Sequence, residues 1–261
     1  MTAIPHTISK EKLENQVGAL LGTFYKKRIE ALGGLKLADV LKRKNPYLYR
    51  ATSSGDASDI VKELLRARIS SSDETIFGND FFEPLAGWVA TQAYQHESSV
   101  SARVSSGSGV DVEIEFNNRL MVIAVKSGTS VFNAQSLAKQ KDQFNQARKR
   151  LLKVQKQFDP VVGYSYGRVN SKESAFRTLA GQAFWEELSG ETDFYLRLAD
   201  AMEKWSLEHA VIFKSEYDKA VNRFTKELLD EFADAEGQLD WRKIVAFNSS
   251  RNSPQQHKGK Q

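Results

Sequence analysis

Four charged residues in one short stretch have the types and spacing to hold a metal ion and steady a phosphate. In "SGVDVEIEFNNRLMVIAVKSG" (residues 108–128), Asp111, Glu113 and Glu115 recur at every second position, and Lys126 follows eleven residues after Glu115. Side chains alternate faces along a strand, so the three acids share one side of a strand. A two-residue turn at Asn117-Asn118 suits type I′, because Asn tolerates positive φ. Counting back from that turn sets Glu115 opposite Leu120, Glu113 opposite Val122 and Asp111 opposite Ala124. Asp111, Glu113, Glu115, Val122, Ala124 and Lys126 then lie on one face. Val112, Ile114, Phe116, Met121, Ile123 and Val125 form an apolar core face on the other. Paired carboxylates offer the oxygen ligands that Mg²⁺ takes, and a neighbouring ammonium can offset charge growing on a phosphate. The same alternation also fits a solvated hairpin face with a surface ion pair.

The flanking chain must position this hairpin. Helices are expected over residues 9–43, over "ASDIVKELLRARI" with Asp56 as N-cap, and over "ETIFGNDFFEPLAGWVATQAY", capped by Ser72 or Asp73 and interrupted or shifted by its glycines and Pro84. "KNPYLYRA" reads as a turn or short extended piece. "SSVSARVSSGSGV" reads as a loop with at most a short strand. A helix follows over about 133–156, then a buried strand in "DPVVGYSYG". "ESAFRTLAGQAFWEELSG" and "DFYLRLADAMEKW" read as amphipathic helices, and a longer helix as spanning roughly 207–235. The order of helices, two strands, a helix, a strand and more helices predicts an α/β protein with a mixed sheet core and helical extensions at both ends. The expected division is residues 1–72 as a helical N-terminal region, 73–170 as the core, 171–247 as a helical C-terminal region, and 248–261 as a disordered polar tail.

Composition narrows the partners. The 261 residues carry a formal charge of +4 and no cysteine, which excludes disulfides and thiolate zinc sites. There is no apolar run of the roughly 20 residues a membrane span needs, and no signal peptide is recognisable at the N-terminus. A cytoplasmic protein is expected. Asn133–Gln157 holds seven basic residues, among them Lys139, against one acid, Asp142. That stretch suits a polyanion such as nucleic acid, or a solvated helix face. The four histidines show no zinc-protease spacing, and no phosphate-binding P-loop occurs. The aromatic group Phe176, Phe184, Trp185, Phe194 and Tyr195 reads as core.

The aspartate, the fifteen-residue interval and the x-Val-Lys on the adjoining strand resemble the PD-(D/E)xK nuclease superfamily. "RKNPYLYRA", "SSSDETIFGNDFFEPLA", "SGVDVEIEF", "VKSGTSVFNAQS", "YSYGR" and "LAGQAFWEELSGETDFY" follow one another in that order. Together, over about Leu41 to Tyr195, they resemble the PmeII-like group of type II restriction endonucleases. The resemblance implies a restriction-endonuclease-like core and Mg²⁺-dependent, site-specific cutting of double-stranded DNA. It also implies a homodimer and a companion methyltransferase. Residue by residue, it implies Asp111 as a metal-binding carboxylate and Lys126 as the catalytic lysine. Ala124 stands where the second acid of the motif is usual. Candidates to replace that acid are, in order, Glu113, Glu83 (in "FFEPLA") and Glu115. Glu83 also reads as an ordinary helix-start acid beside Pro84. Gln135, Lys139, Arg103 and Arg168 are candidate DNA contacts, with Arg177 a further arginine near the site in sequence. The alternatives are a structure-specific repair nuclease of the same superfamily and, given Ala124, a DNA-binding protein without catalysis.

Overall fold

A computed structural model of the chain describes residues 5–53, 55–130, 132–151, 156–169 and 175–251. Its centre is one mixed sheet whose strands follow sequence order: β1 (Ser101–Val104), β2 (Val112–Glu115), β3 (Arg119–Lys126), β4 (Gln157–Tyr164) and β5 (Arg177–Ala180). The β1–β2 and β2–β3 pairings are antiparallel, and β3–β4 and β4–β5 are parallel. A parallel neighbour needs a crossover. Helix α6 (Ala134–Leu151) supplies it between β3 and β4. The expected α/β class, a mixed sheet flanked by helices, is the observed one.

The expected hairpin register holds where the strands pair: Glu115 faces Leu120, Glu113 faces Val122, and Ile114 faces Met121. The turn is different. No described non-glycine residue has a positive φ, so Asn117-Asn118 is not type I′. The Asn118 carbonyl instead accepts the Gln157 N–H at 2.8 Å, which ties the turn to the start of β4.

Both faces of β3 are covered. Val112, Ile114, Met121, Ile123 and Val125 pack with Leu85, Ala86, Val89 and Ala90 of α5 (Glu83–Tyr94). Leu120, Val122 and Ala124 pack with Phe144 and Ala147 of α6. At about 1.5–3 kcal/mol per buried aliphatic side chain, two covered faces make β3 the most strongly held element of the sheet. The side of the hairpin that bears the acids is therefore not an open solvent face along β3. In β4, Pro160 lacks an N–H, but β5 pairs only from Val161 onward, so that side of the strand is still open at Pro160.

Several elements depart from the sequence expectation. "NPYLYRA" is helical, as α3 (Pro46–Thr52), because the Asn45 side chain accepts from the Tyr47 and Leu48 N–H groups and Pro46 sits at the first helical position. Asp56 caps α4 through the Asp59 N–H at 2.9 Å, but α4 (Ala57–Phe77) runs straight through Ser72 and Asp73. Arg177–Ala180 is the strand β5, not helix. It takes hydrogen bonds from β4, and a four-residue segment has too little intrinsic helix preference to resist that. Only Gln182–Ser189 is helical, as α7. The two helices expected after it are one, α8 (Phe194–Phe232).

The chain divides into two compact units: Met1–Tyr25 with Glu74–His209, and Lys26–Asp73 with Ala210–Gln261. The division expected from sequence follows chain order, whereas these units do not, and their boundaries fall within α1 (Lys10–Gly33), α4 and α8. The first unit holds the sheet. The second is helical, with α2 (Leu37–Leu41), α3 and α9 (Trp241–Ser249) around Leu32, Ile60, Leu64, Leu65, Phe224 and Leu228. Within it Arg28 pairs with Asp73 at 2.7 Å, and Asp240 caps α9. The expected tail, 248–261, begins inside α9, and its last ten residues lie outside the described ones. No described helix is long and apolar enough to cross a membrane.

Gly163 of β4 lies under Phe184, where an added Cβ would come within 2.1 Å of the ring. Phe184 is fully buried and cannot retreat. Gly163→Ala is expected to destabilise the protein by about 1–3 kcal/mol, read as a lowered denaturation midpoint, whereas Gly22→Ala, with no neighbour in reach, is expected to lose nothing.

Candidate active site at the end of the central strands

The site forms where β2 and β3 part. The Asp111 N–H donates to the Ile123 carbonyl at 2.8 Å, yet Ile123 is registered with Val112. Two successive residues thus meet one, a β-bulge, which bends a strand and re-aims a side chain. Asp111 is accordingly not flush with Ala124. Its carboxylate Oδ2 accepts the Val125 N–H at 2.7 Å. The carbonyl of the same Val125 accepts from Lys126 Nζ, also at 2.7 Å. One residue's backbone therefore holds both the aspartate and the lysine. Burial raises the Asp111 carboxyl above its usual range, while Lys126 and the Val125 N–H pull it back.

Glu83 reaches the same place from the other side. α4 passes into a single π-helical turn, Gly78–Phe82, and the Glu83 N–H donates five residues back to Gly78. In an α-helix the ring of Pro84 would clash with the carbonyl four residues earlier; the wider turn relieves this and places Glu83 at the start of α5. Such turns recur at functional sites. Glu83 is half-buried, and its pKa rises to about 7 through burial first and then the charge of Asp111, with Lys126 opposing and Asp80 adding a smaller push. Glu83, Asp111 and Lys126 are thus within electrostatic reach of one another.

Glu83 and Lys126 border an open cleft of about 460 Å³, lined by Glu74, Asn79 and Glu83 on one side and by Val125, Lys126, Ser127–Ser130 and Tyr166 on the other; Asp111 is tied to its wall through the Val125 N–H. Tyr166 is 52% exposed there. Residue order does not single out Tyr166 as a site residue, although it lies within "YSYGR". A smaller apolar gap between Leu64, Leu228 and Trp241 lies within the helical unit and has no cluster of ionisable groups.

Glu113 is held elsewhere. It is 4% exposed, accepts from Arg103 Nε at 2.8 Å and Ser105 Oγ at 2.6 Å, and lies 3.4 Å from Arg150 of α6. These donors fill both carboxylate oxygens, so the fold spends Glu113 on joining β1, the loop after it and α6. Glu115 is further off and pairs with Lys156 at 2.8 Å, which lowers its pKa. Ala124 is fully buried under α6; an acid there would need a charge in an apolar layer. Among the other candidates, Arg103 is committed to Glu113. Gln135 and Lys139 are exposed in the first turns of α6, and Arg168 is exposed beyond β4. Arg177 forms a bidentate pair with Asp159 at 2.9 and 2.8 Å.

The donor set suits a hard divalent cation. Two half-buried carboxyls with raised pKa values interact electrostatically, and among the described residues no hydrogen bond is made to the Asp111 Oδ1, the Val125 N–H going to Oδ2. Among the described residues no group of three ligating side chains occurs, but Mg²⁺ commonly takes one or two carboxylates and completes its shell with water and phosphate.

The raised pKa of Glu83 has a consequence for stability in chelator. Its protonated form is favoured in the folded protein, so its contribution is complete below about pH 4.5 and lost as pH rises through about 7. Glu83→Gln should match wild type at pH 4.5 and exceed it at pH 8 by about 1–2 kcal/mol, after allowance for screening at a half-exposed group. Urea unfolding in EDTA at the two pH values measures this; equal differences at both would refute it.

The model of the family described as Type II restriction endonuclease EcoO109I matches residues 11–209. No curated protein matches the chain.

Proposed function

The chain belongs to the EcoO109I family of type II restriction endonucleases, and on that premise we propose that it is a Mg²⁺-dependent, site-specific endonuclease that hydrolyses phosphodiester bonds of double-stranded DNA. The observation that carries this reading is that Glu83 and Lys126 line one open cleft while Asp111, bonded to Val125 of its wall, interacts with both. The likeness to the PmeII-like group supports the same reading.

Asp111 and Glu83 would hold the metal, and Glu83 takes the part of the acid that Ala124 leaves out. A bound divalent ion would supply positive charge for a water molecule and for phosphate oxygens. The chain's own groups do the rest. The Val125 N–H orients the Asp111 carboxylate. Lys126, resting on the Val125 carbonyl, turns its ammonium to a phosphate oxygen and offsets the charge that develops there. The exposed basic residues of α6, including Lys139, contact the DNA backbone, with Gln135 and Arg168 as further contacts. A homodimer matched to a two-fold symmetric site, a companion methyltransferase and a cytoplasmic location belong to the same reading.

Plasmid and phage DNA incubated with the protein and Mg²⁺ should give discrete fragments. Asp111→Ala, Lys126→Ala and Glu83→Ala should each slow cleavage by about 10²–10³-fold. Glu113→Gln should cut with an unchanged Mg²⁺ requirement. Cutting confined to branched substrates would favour a repair nuclease, and DNA binding without any cutting by wild type would overturn the enzymatic reading. If Glu113→Gln rather than Glu83→Ala raises the Mg²⁺ requirement, the assignment of the second acid is wrong.

Lys139→Ala should weaken binding to cognate and unrelated DNA alike and reduce the slope of log affinity against log salt by about one. Filter binding in chelator over a salt series tests this, and an unchanged slope would remove α6 from the interface.

A further inference from the structure

We propose that Trp185 is a positioning residue that sets the spacing between the Lys126 and Glu83 sides of the cleft; this rests on the nuclease reading of those two residues.

Trp185 lies in α7 and is 1% exposed. Its indole Nε1 donates to the Ser165 carbonyl at 2.9 Å, a fully buried bond. Ser165, itself 5% exposed, is bound in turn to Lys126. Its N–H donates to the Lys126 carbonyl at 2.9 Å, and its hydroxyl donates to the same oxygen at 3.3 Å. Lys126 ends β3, and Ser165 is the first residue after β4. Lys126 is registered with Tyr164, so the Ser165 N–H bond is the last rung of the parallel ladder and the hydroxyl bond reinforces it at the strand end.

The ring of Trp185 reaches the other side. Its centroid is 6.3 Å from that of Phe82, the residue before Glu83, in the π-helical turn. Phe184 and Phe194 flank the same ring at 5.0 and 5.9 Å. One rigid, buried side chain thus holds the strand end that carries Lys126 through its N–H, and packs its ring against Phe82, at the end of the turn that leads into Glu83. A tryptophan that only filled space could send its N–H to any buried carbonyl. This one sends it to the residue that clamps Lys126. Trp185 touches neither metal nor phosphate in this scheme and acts through the two groups that do.

The test uses single-turnover cleavage of plasmid and phage DNA with Mg²⁺, together with DNA affinity in chelator and thermal unfolding. Trp185→Phe keeps a ring and removes the donor. It should slow cleavage by about 10-fold with DNA affinity held within about twofold, since misplacement of a reacting group by 1 Å costs about 10²-fold. Leu198→Ala, in the same core but away from the cleft, is the control for lost stability; it should cut within about twofold of wild type at temperatures where both stay folded. Trp185→Phe cleaving at the wild-type rate, or Leu198→Ala slowing as much, overturns the proposal. Should Trp185→Phe fail to fold, benzothienylalanine at position 185, which keeps the fused ring and removes the N–H, decides: slowed cleavage with unchanged affinity supports the bracket, and a wild-type rate overturns it. Lys126→Ala run alongside separates the two levels. If it cuts normally, the reading of Lys126 fails; if it is inactive while Trp185→Phe is not, only the bracket fails.

Discussion

The backbone of Val125 is the constraint on which the site depends. At the end of a ladder, the N–H and carbonyl that would face the next strand have lost their partner, and a buried peptide group must find another. Here the N–H takes the Asp111 carboxylate and the carbonyl takes the Lys126 ammonium. The requirement to satisfy one peptide thereby brings opposite charges to one edge. The bulge at Asp111 makes it possible, because a flush strand would have kept that carboxyl on the side facing α6.

Burial then sets the character of the acids. Glu113 and Asp111 stand two residues apart, yet their surroundings differ in kind. Glu113 meets two guanidinium groups and a hydroxyl, which stabilise the charge and tie three elements together. Asp111 and Glu83 share the Lys126 ammonium; burial raises both carboxyls, and the charge of Asp111 raises Glu83 further. A site short of positive charge invites a cation; a saturated one does not. This contrast separates a structural carboxylate from one available for chemistry more clearly than proximity in sequence does.

The wall opposite the strands has its own logic. Pro84 cannot be absorbed by a regular helix at the end of α4, and the π-helical turn that accommodates it displaces Glu83 toward the sheet. The aromatic residues around the turn are packed together: Phe77 and Phe81 stack, and Phe82 meets both edge to face. A rigid cluster of this kind suits a carboxylate that must keep its distance from a lysine on a different element.

Much of the hairpin was legible from residue order, because strand alternation and pairing are local: the register of Glu113 with Val122, the apolar face of Val112, Ile114, Met121 and Ile123, and the sequence of strand, helix and strand all follow from periodicity. The motif order also pointed to a type II restriction endonuclease, the level at which the match over residues 11–209 agrees. What residue order could not convey was use. Whether Glu113 or Glu83 faces Asp111 depends on Arg103 and Arg150 arriving from β1 and α6, and on a turn whose widening no periodicity signals. Arg177–Ala180 became a strand because β4 offered it hydrogen bonds, against an amphipathic pattern that read as helix. Local spacing places a side chain on a face; only the packed neighbours decide whether that face meets a guanidinium, an apolar helix or a cleft.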